Sequence, residues 1–108
     1  MKINILGQDY EILKQSDSEN PKLETADGIC EIYAHKIVLR EFEKTPNSFE
    51  NLDAYKQKVL RHEIIHAFFA ESGLRTNSDY AENEELVDWI AIQLPKIVKV
   101  MSELDILN

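Results

Sequence analysis

Two histidines and a glutamate stand close together in an otherwise mostly apolar stretch, residues 59–68. His62 and His66 are four residues apart, so on a helix their imidazoles lie on one face, with Glu63 beside them. Zinc binds imidazole nitrogen at about 2.0–2.1 Å and, in catalytic sites, keeps one position open for water. A neighbouring carboxylate such as Glu63 can deprotonate that water. The spacing therefore predicts a metal site with Glu63 as a base.

The same pattern also arises by chance in helices whose histidines are merely packed or exposed. Here the neighbours, apart from Arg61, are uncharged and mostly bulky: Val59, Leu60, Ile64, Ile65, Ala67 and Phe68. Burying two imidazoles and a carboxylate among such side chains is costly unless they are paired or coordinate a metal. The apolar surroundings favour the metal site over a purely structural helix.

A third ligand is expected from the stretch Asn83-Glu84-Glu85-Leu86-Val87-Asp88. Glu84 and Asp88 share a helix face, whereas Glu85 is rotated from Glu84 by about 100°. An HExxH motif followed by Asn-Glu-x-x-x-Asp resembles the gluzincins, the thermolysin-like zinc metallopeptidases. At this length the chain most resembles their compact members, the minigluzincins. The match favours Glu84 as the ligand, with Glu85 left open as the alternative.

The resemblance covers roughly the C-terminal half of the chain and implies both a ligand set and an activity. His62, His66 and Glu84 would bind Zn²⁺. Glu63 would be the catalytic base, and Asp88 would orient a ligating histidine. The implied function is zinc-dependent hydrolysis of peptide bonds in a peptide or protein substrate. Compact zincins also occur in phages and mobile elements, which implies a repressor or a virion protein as the substrate.

The sequence does not identify an oxyanion donor, although charge stabilisation there supplies much of the rate enhancement in hydrolysis. The family's downstream histidine has no counterpart, because no histidine follows His66. Tyr80, His35, Arg75 and Arg61 are candidates, each with an ordinary structural role as its alternative. Because no oxyanion donor is identified, two other hypotheses about function stay open. One is a zinc-stabilised but latent domain that binds a partner, and the other is a helical interaction protein without metal.

The order of elements predicts an α+β zincin-like domain, a small and mostly antiparallel sheet followed by the HExxH helix and a glutamate-bearing helix. Polar and apolar residues alternate over residues 1–14 and again over residues 28–42, which predicts one hairpin in each range. An exposed loop is expected over residues 15–27 between them. Helical spacing predicts a first helix over about residues 51–72, after caps at Asn47 or Ser48 and before Gly73.

The second helix is expected after a turn over residues 74–79, where Asp79 and Glu82 resemble a capping box. Its apolar stripe continues to Leu104 in spite of Pro95. The proline predicts either a kink in this helix or two helices in line. Trp89 is expected to pack this helix onto the sheet.

Composition predicts one intracellular domain. The 108 residues suffice for a single core, so we expect one zincin-like domain over residues 1–108. The net charge of −8 argues against nucleic-acid binding, which needs Lys and Arg on phosphates. Cys30 is the only cysteine and is more often a core residue than a ligand. Because no signal-peptide run or bilayer-spanning stretch is found, a cytoplasmic protein without a membrane partner is expected, with its oligomeric state left open.

Overall fold

The structure is a computed structural model that describes residues 1–42, 45 and 48–108. Four strands come first in the chain: β1 (Lys2–Ile5), β2 (Gln8–Gln15), β3 (Gly28–Glu31) and β4 (Lys36–Arg40). Three helices follow them: α1 (Leu52–Glu71), α2 (Leu74–Asn77) and α3 (Glu84–Glu103). The predicted α+β class is confirmed.

The strands form one mixed sheet in the order β1-β2-β4-β3. The pairs β1–β2 and β3–β4 are antiparallel hairpins, as predicted, whereas β2 and β4 pair in parallel. The first hairpin turns through Leu6 and Gly7, whose φ angles of 50° and 94° suit a tight two-residue turn. The parallel pairing at the centre was not predicted, and it leaves β3 at an edge of the sheet.

The connection from β2 to β3 is more ordered than the exposed loop that was predicted. It contains a 3-10 turn, Pro21–Glu24, which Asn20 caps by accepting a hydrogen bond from the backbone N–H of Lys22 at 3.2 Å. Leu23 within this turn is fully buried. The prediction was wrong here because a single apolar residue in a polar run anchors the connection to the core.

The helix α1 lies between the sheet and α3, which explains why it carries apolar residues on two sides. Towards the sheet it joins a buried cluster of side chains from strands and helix: Ile5, Tyr10, Ile37 and Ala67. Cys30 packs against this cluster, in agreement with its predicted core role. On its other side, Ile65 packs with Val87 and Ala91 of α3. The predicted layering of sheet, first helix and second helix is therefore confirmed.

Both long helices begin at asparagine caps. The side chains of Asn51 and Asn83 each accept the backbone N–H of the residue three further on, at 3.1 and 2.8 Å. Ser48 lies before the start of α1, and the predicted cap at Asn47 lies outside the described residues. The capping box predicted for α3 was wrong, because Asp79–Glu82 form a separate 3-10 turn that ends where Asn83 starts the helix. The predicted end of α1 is confirmed by Gly73, whose φ is 84°.

The helix α3 runs through Pro95 as one element rather than as two helices. Proline has no backbone N–H, so the carbonyl of Ala91, four residues earlier, loses its usual partner within the helix. Arg61 of α1 supplies a substitute, because its Nε–H donates to the Ala91 carbonyl at 2.7 Å. A side chain of the neighbouring helix thus satisfies the carbonyl that proline leaves free, and it ties α1 to α3.

The buried residues of α3, Val87 and Ala91, lie in its first half. Trp89 is 56% exposed, so the prediction that it packs α3 onto the sheet was wrong, since α1 separates the two. Further apolar side chains are also exposed in the second half of α3 and at the residue that follows it: Leu94, Val98, Val100, Met101 and Leu104. In the described part of the chain, no helix has the length and apolar character that crossing a bilayer requires.

Candidate metal centre

Three side chains from α1 and α3 converge on one point. The Nε2 atoms of His62 and His66 lie 3.1 Å apart. The two carboxylate oxygens of Glu84 lie 3.0 Å from His62 Nε2 and 2.9 Å from His66 Nε2. Tetrahedral bonds of about 2.0 Å to zinc separate their donor atoms by about 3.3 Å. A small outward movement of these three donors would therefore accommodate a tetrahedral zinc ion and leave a fourth position open.

The two helices explain this convergence. The spacing of four residues on α1 puts both imidazoles on one face, with ring centroids 4.8 Å apart. The cap at Asn83 makes Glu84 the first residue of α3, and its carboxylate reaches across to the histidines. Glu85 is exposed and makes no hydrogen bond with either histidine. Of the two glutamates weighed from the sequence, Glu84 is the one that contacts both imidazoles.

Asp88 lies behind His62, one helical turn beyond Glu84. His62 Nδ1 lies 3.0 Å from Asp88 Oδ1, so the ring donates its Nδ1–H to the carboxylate and leaves Nε2 unprotonated, the form in which a ring nitrogen can bind a metal. Lys58 Nζ donates to the same oxygen, also at 3.0 Å. Although burial acts to raise the pKa of Asp88, the hydrogen bonds from Lys58 and His62 outweigh it and lower that pKa. Lys58 was not among the site residues predicted from the sequence, although it stands four residues before His62 and therefore shares its helix face.

Glu63 is the one charged side chain that is buried among the described residues, with 7% of its surface exposed. Its carboxylate accepts no hydrogen bond from the described residues, and its oxygens are not fully enclosed, because Glu63 lines two cavities at the cluster. Burial raises the pKa of Glu63 to about 7, the charge of Glu84 adds to this rise, and His62 opposes it. A carboxyl group of this kind can take up and release a proton near neutral pH.

The edge strand β3 lies directly on α1 at Gly28. A Cβ atom at this position would lie 2.8 Å from Val59 Cγ1 and 2.9 Å from Glu63 Cγ, closer than side chains approach one another. Only glycine allows this contact, which holds Glu63 beneath the strand. Gly28 was not among the predicted site residues, although a glycine within a strand often marks a close approach of another chain segment.

Two acidic side chains therefore lie near the histidines. Glu63 forms a group with His62 and His66 in which the potential ligand atoms are all within 4.8 Å of one another. Glu84 is nonetheless the better third ligand, because it contacts both Nε2 atoms and its side chain is 70% exposed and free to adjust. Glu63 is confined under Gly28, which suits a base better than a ligand.

Two cavities meet at this cluster, and Glu63, His66 and Glu84 line both of them. The Asp27 cavity, of about 490 Å³, extends towards the start of β3 and is also lined by Asp27, Gly28, Tyr55 and Lys58. The Arg75 cavity, of about 320 Å³, extends towards the end of β3 and is also lined by Cys30, Ile32, Arg75 and Glu82. The histidine cluster thus lies between two open spaces that follow the edge strand.

Three of the four oxyanion candidates named from the sequence lie elsewhere or are already engaged. His35 is in the β3–β4 turn, with φ of 54° and its ring 5.5 Å from that of Tyr10. Arg61 donates to a carbonyl of α3. Tyr80 is 56% exposed and lines neither cavity. Arg75 is the one candidate that lines a cavity at the cluster.

Comparison with known proteins gives no family for this chain, since it matches no family model, no curated protein sequence and no solved structure. The resemblance to gluzincins therefore depends on the sequence motifs in residues 62–66 and 83–88 alone.

Proposed function

We propose that the protein is a zinc-dependent peptidase with His62, His66 and Glu84 as ligands. The observation that supports this most directly is the approach of two imidazole nitrogens and one carboxylate to within 2.9–3.1 Å of one another. Two histidines and a glutamate form a known donor set of catalytic zinc. Glu63 lies beside this set with 7% of its surface exposed and lines both cavities, which supports hydrolysis rather than a purely structural ion.

Zinc in this site would polarise the scissile carbonyl and make water more acidic. Glu63 would take a proton from the attacking water and deliver it to the leaving nitrogen. Asp88 would keep His62 in the tautomer that presents Nε2, and Lys58 would hold Asp88 in place.

The surroundings of the cluster favour an extended peptide as the substrate. As an edge strand, β3 has one side without a partner strand in the described sheet, and backbone groups on such an edge can bind a further strand. Gly28 and Cys30 of this strand line the two cavities that meet at the histidines. A peptide that lies along β3 would pass the cluster between these cavities. A cytoplasmic peptide or protein remains our expected substrate.

The first test is the metal content of protein purified without chelator, measured by mass spectrometry. We expect about one zinc per chain and a lower melting temperature after chelation. At free zinc a hundredfold above its dissociation constant, binding adds about 2.7 kcal/mol to the stability of the folded state. Protein without zinc, and with a melting temperature that chelation leaves unchanged, would end the metal proposal.

The second test separates catalysis from metal binding. With fluorogenic peptide libraries as substrates, Glu63→Gln should keep zinc and the fold but lose hydrolysis, because the base is lost and no ligand is. Glu85→Gln, a neutralised acid one residue beyond the proposed ligand, is the matched control and should change neither. A wild-type protein that holds zinc but cleaves no peptide in the libraries would favour the latent, partner-binding alternative.

The third test concerns the ligand set, through zinc affinity measured by competition with a chromogenic chelator. Glu84→Ala should weaken zinc binding more than any other acidic substitution in the site. Asp88→Ala should weaken it by roughly 10–100-fold, because it releases the ring of His62. Glu85→Ala should leave it unchanged. A strong effect at Glu85 instead of Glu84 would contradict the proposed ligands and leave only a broader zincin assignment.

A further inference from the structure

Arg75 faces the histidine cluster from an element that carries none of the proposed ligands. It belongs to α2, which starts where Gly73, in the left-handed conformation, turns the chain at the end of α1. Arg75 lines the Arg75 cavity together with Glu63, His66 and Glu84. Among the described residues it is the one lysine or arginine that lines this cavity. The fold thus presents a permanent positive charge across an open space from the proposed metal ligands.

The interaction that holds Arg75 is weak enough to be exchanged. Its Nη2 atom lies 3.4 Å from Glu82 Oε1, and the two side chains are 39% and 56% exposed. Ion pairs this exposed contribute little to stability. A guanidinium group also carries further N–H donors in a fixed planar arrangement. Arg75 is therefore oriented by Glu82 but keeps donors available for an incoming anion.

The charge of Arg75 already acts across the cavity. Burial raises the pKa of the Cys30 thiol in β3, and the guanidinium of Arg75 opposes this rise. Cys30 and Arg75 line the same cavity, so the charge of Arg75 reaches from α2 to the edge strand.

The other cations near the cluster are committed to closer partners. Lys58 donates to Asp88 at 3.0 Å, and this contact supports a proposed ligand rather than a substrate. Lys22, which lines the Asp27 cavity, makes an ion pair with Glu31. Arg75 has a longer and more exposed contact than Lys58 has, and it is the one lysine or arginine among the described residues that lines the Arg75 cavity. It is therefore the cation best placed to serve a reacting group.

We propose that Arg75 is a catalytic residue that donates a hydrogen bond to the oxygen of the scissile carbonyl as this oxygen becomes negative. The inference rests on the proposed peptidase function. When the oxygen of water bonds to the carbonyl carbon, the π-electron pair of the C=O bond moves onto the carbonyl oxygen, where Arg75 donates. The proton of water passes to Glu63 and then to the leaving nitrogen as the C–N bond breaks and the C=O bond re-forms. Donors placed where charge develops act on the transition state more than on the bound substrate.

Two small probes, titrated calorimetrically into the zinc-loaded full chain, test this role without requiring a known substrate. Phenylphosphonate presents tetrahedral negative oxygens, as the attacked carbonyl does. Benzyl mercaptan has a similar ring but binds zinc through one sulfur and offers no oxygen. Arg75→Gln should weaken phenylphosphonate binding by at least about tenfold, the effect of losing a hydrogen bond to a charged group, and should change mercaptan binding by less than about twofold.

Two further variants separate the donor from the local charge. Arg75→Lys keeps the charge but loses the planar donor arrangement, so its phosphonate affinity should fall between those of wild type and Arg75→Gln. Glu82→Gln removes the competing partner of Arg75 and should leave phosphonate binding unchanged or tighter. If Glu82→Gln weakened it as much as Arg75→Gln, the ion pair rather than the donor would matter, and the inference would be wrong.

The remaining outcomes are equally decisive. An equal loss for both probes in Arg75→Gln would mean that the residue acts through the metal site, which overturns the inference while leaving the peptidase proposal intact. Unchanged phosphonate binding, or a zinc-loaded wild type that binds the mercaptan but not the phosphonate, would overturn it in the same way. A chain that holds no zinc and binds neither probe would refute the proposed function itself, and the inference with it.

Discussion

The hydrogen bond from Arg61 to the carbonyl of Ala91 leads to a specific prediction about Pro95. If Arg61 replaces the donor that proline lacks, its contribution to the free energy of unfolding depends on the presence of Pro95. Pro95→Ala restores the backbone N–H that can bond to the Ala91 carbonyl within α3. We therefore expect Arg61→Met to be costly in the wild-type background and nearly neutral in the Pro95→Ala background. Methionine keeps much of the apolar stem of arginine, so the comparison isolates the donor.

The magnitude follows from the burial of the acceptor. Ala91 is fully buried, so its carbonyl cannot turn to water when Arg61 is removed. Leaving a buried acceptor without a partner costs about 1–3 kcal/mol. In a domain of this size that corresponds to a fall in melting temperature of roughly 5–15 °C. Pro95→Ala alone should stabilise the protein, by at most about 3 kcal/mol, the usual penalty of proline inside a helix. Because Arg61→Met is expected to be nearly neutral in the Pro95→Ala background, the coupling energy between the two substitutions should be about 1–3 kcal/mol.

Urea unfolding followed by circular dichroism on the wild type, the two single variants and the double variant measures this coupling. Lys99→Met, which removes an exposed positive charge from α3, is the control and should change stability by less than about 0.5 kcal/mol. If the two substitutions proved additive to within about 0.5 kcal/mol, the arginine would not be the substitute donor.

Four further predictions test the fold around the site. Gly28→Ala should lower the free energy of unfolding, measured in urea, by about 1–3 kcal/mol, because its Cβ would lie 2.8 Å from a side chain of α1. A neutral effect would mean that β3 does not lie on α1. Tyr10→Phe should lower the free energy of unfolding by about 1.5–3 kcal/mol, since the tyrosine hydroxyl donates to the Glu71 carboxylate at 2.6 Å. An unchanged urea midpoint would contradict this hydrogen bond. Asn83→Ala should lower the free energy of unfolding by about 1 kcal/mol through loss of the α3 cap, whereas no loss would place the cap elsewhere. Burial raises the pKa of Cys30 to about 12, so the native thiol should resist iodoacetamide at pH 8 and become reactive only as the pH approaches that value or when the chain is unfolded. Rapid alkylation of the native protein at pH 8 would show that the pKa of the thiol is not raised.

The local elements could be predicted from the sequence because their signals are local. The helical spacing before Gly73 predicted α1 closely, and alternation predicted both hairpins. The pairing of β2 with β4 could not be predicted, since alternation shows which face of a strand is buried but not which strand lies beside it. Trp89 was misplaced for a similar reason, because an apolar residue on a helix does not reveal whether the sheet, another helix or solvent faces it.

The candidate site was predictable in its spacing but not in its surroundings. Residues four apart on one helix had to share a face, so the pairing of His62 with His66 required only the helix. The motif resemblance already favoured Glu84 over Glu85, but the contacts of Glu84 with both imidazoles depend on the angle at which α3 crosses α1, which no residue pattern specifies. Lys58 and Gly28 affect the site only through the packing of separate elements, and this is why the structure was needed to find them.

The proposed ligands and their supporting residues are close together along the chain, and this affects the order in which the protein folds. The contacts of His62 with Glu84 and Asp88 span 22 and 26 residues within two consecutive long helices. The bond from Tyr10 to Glu71, which joins the sheet to α1, spans 61 residues. Because closing a short loop costs less entropy than closing a long one, we expect the helical pair to dock before the sheet is complete. Zinc would then encounter its ligands on a partly folded chain, so its presence during refolding should speed the formation of the native state.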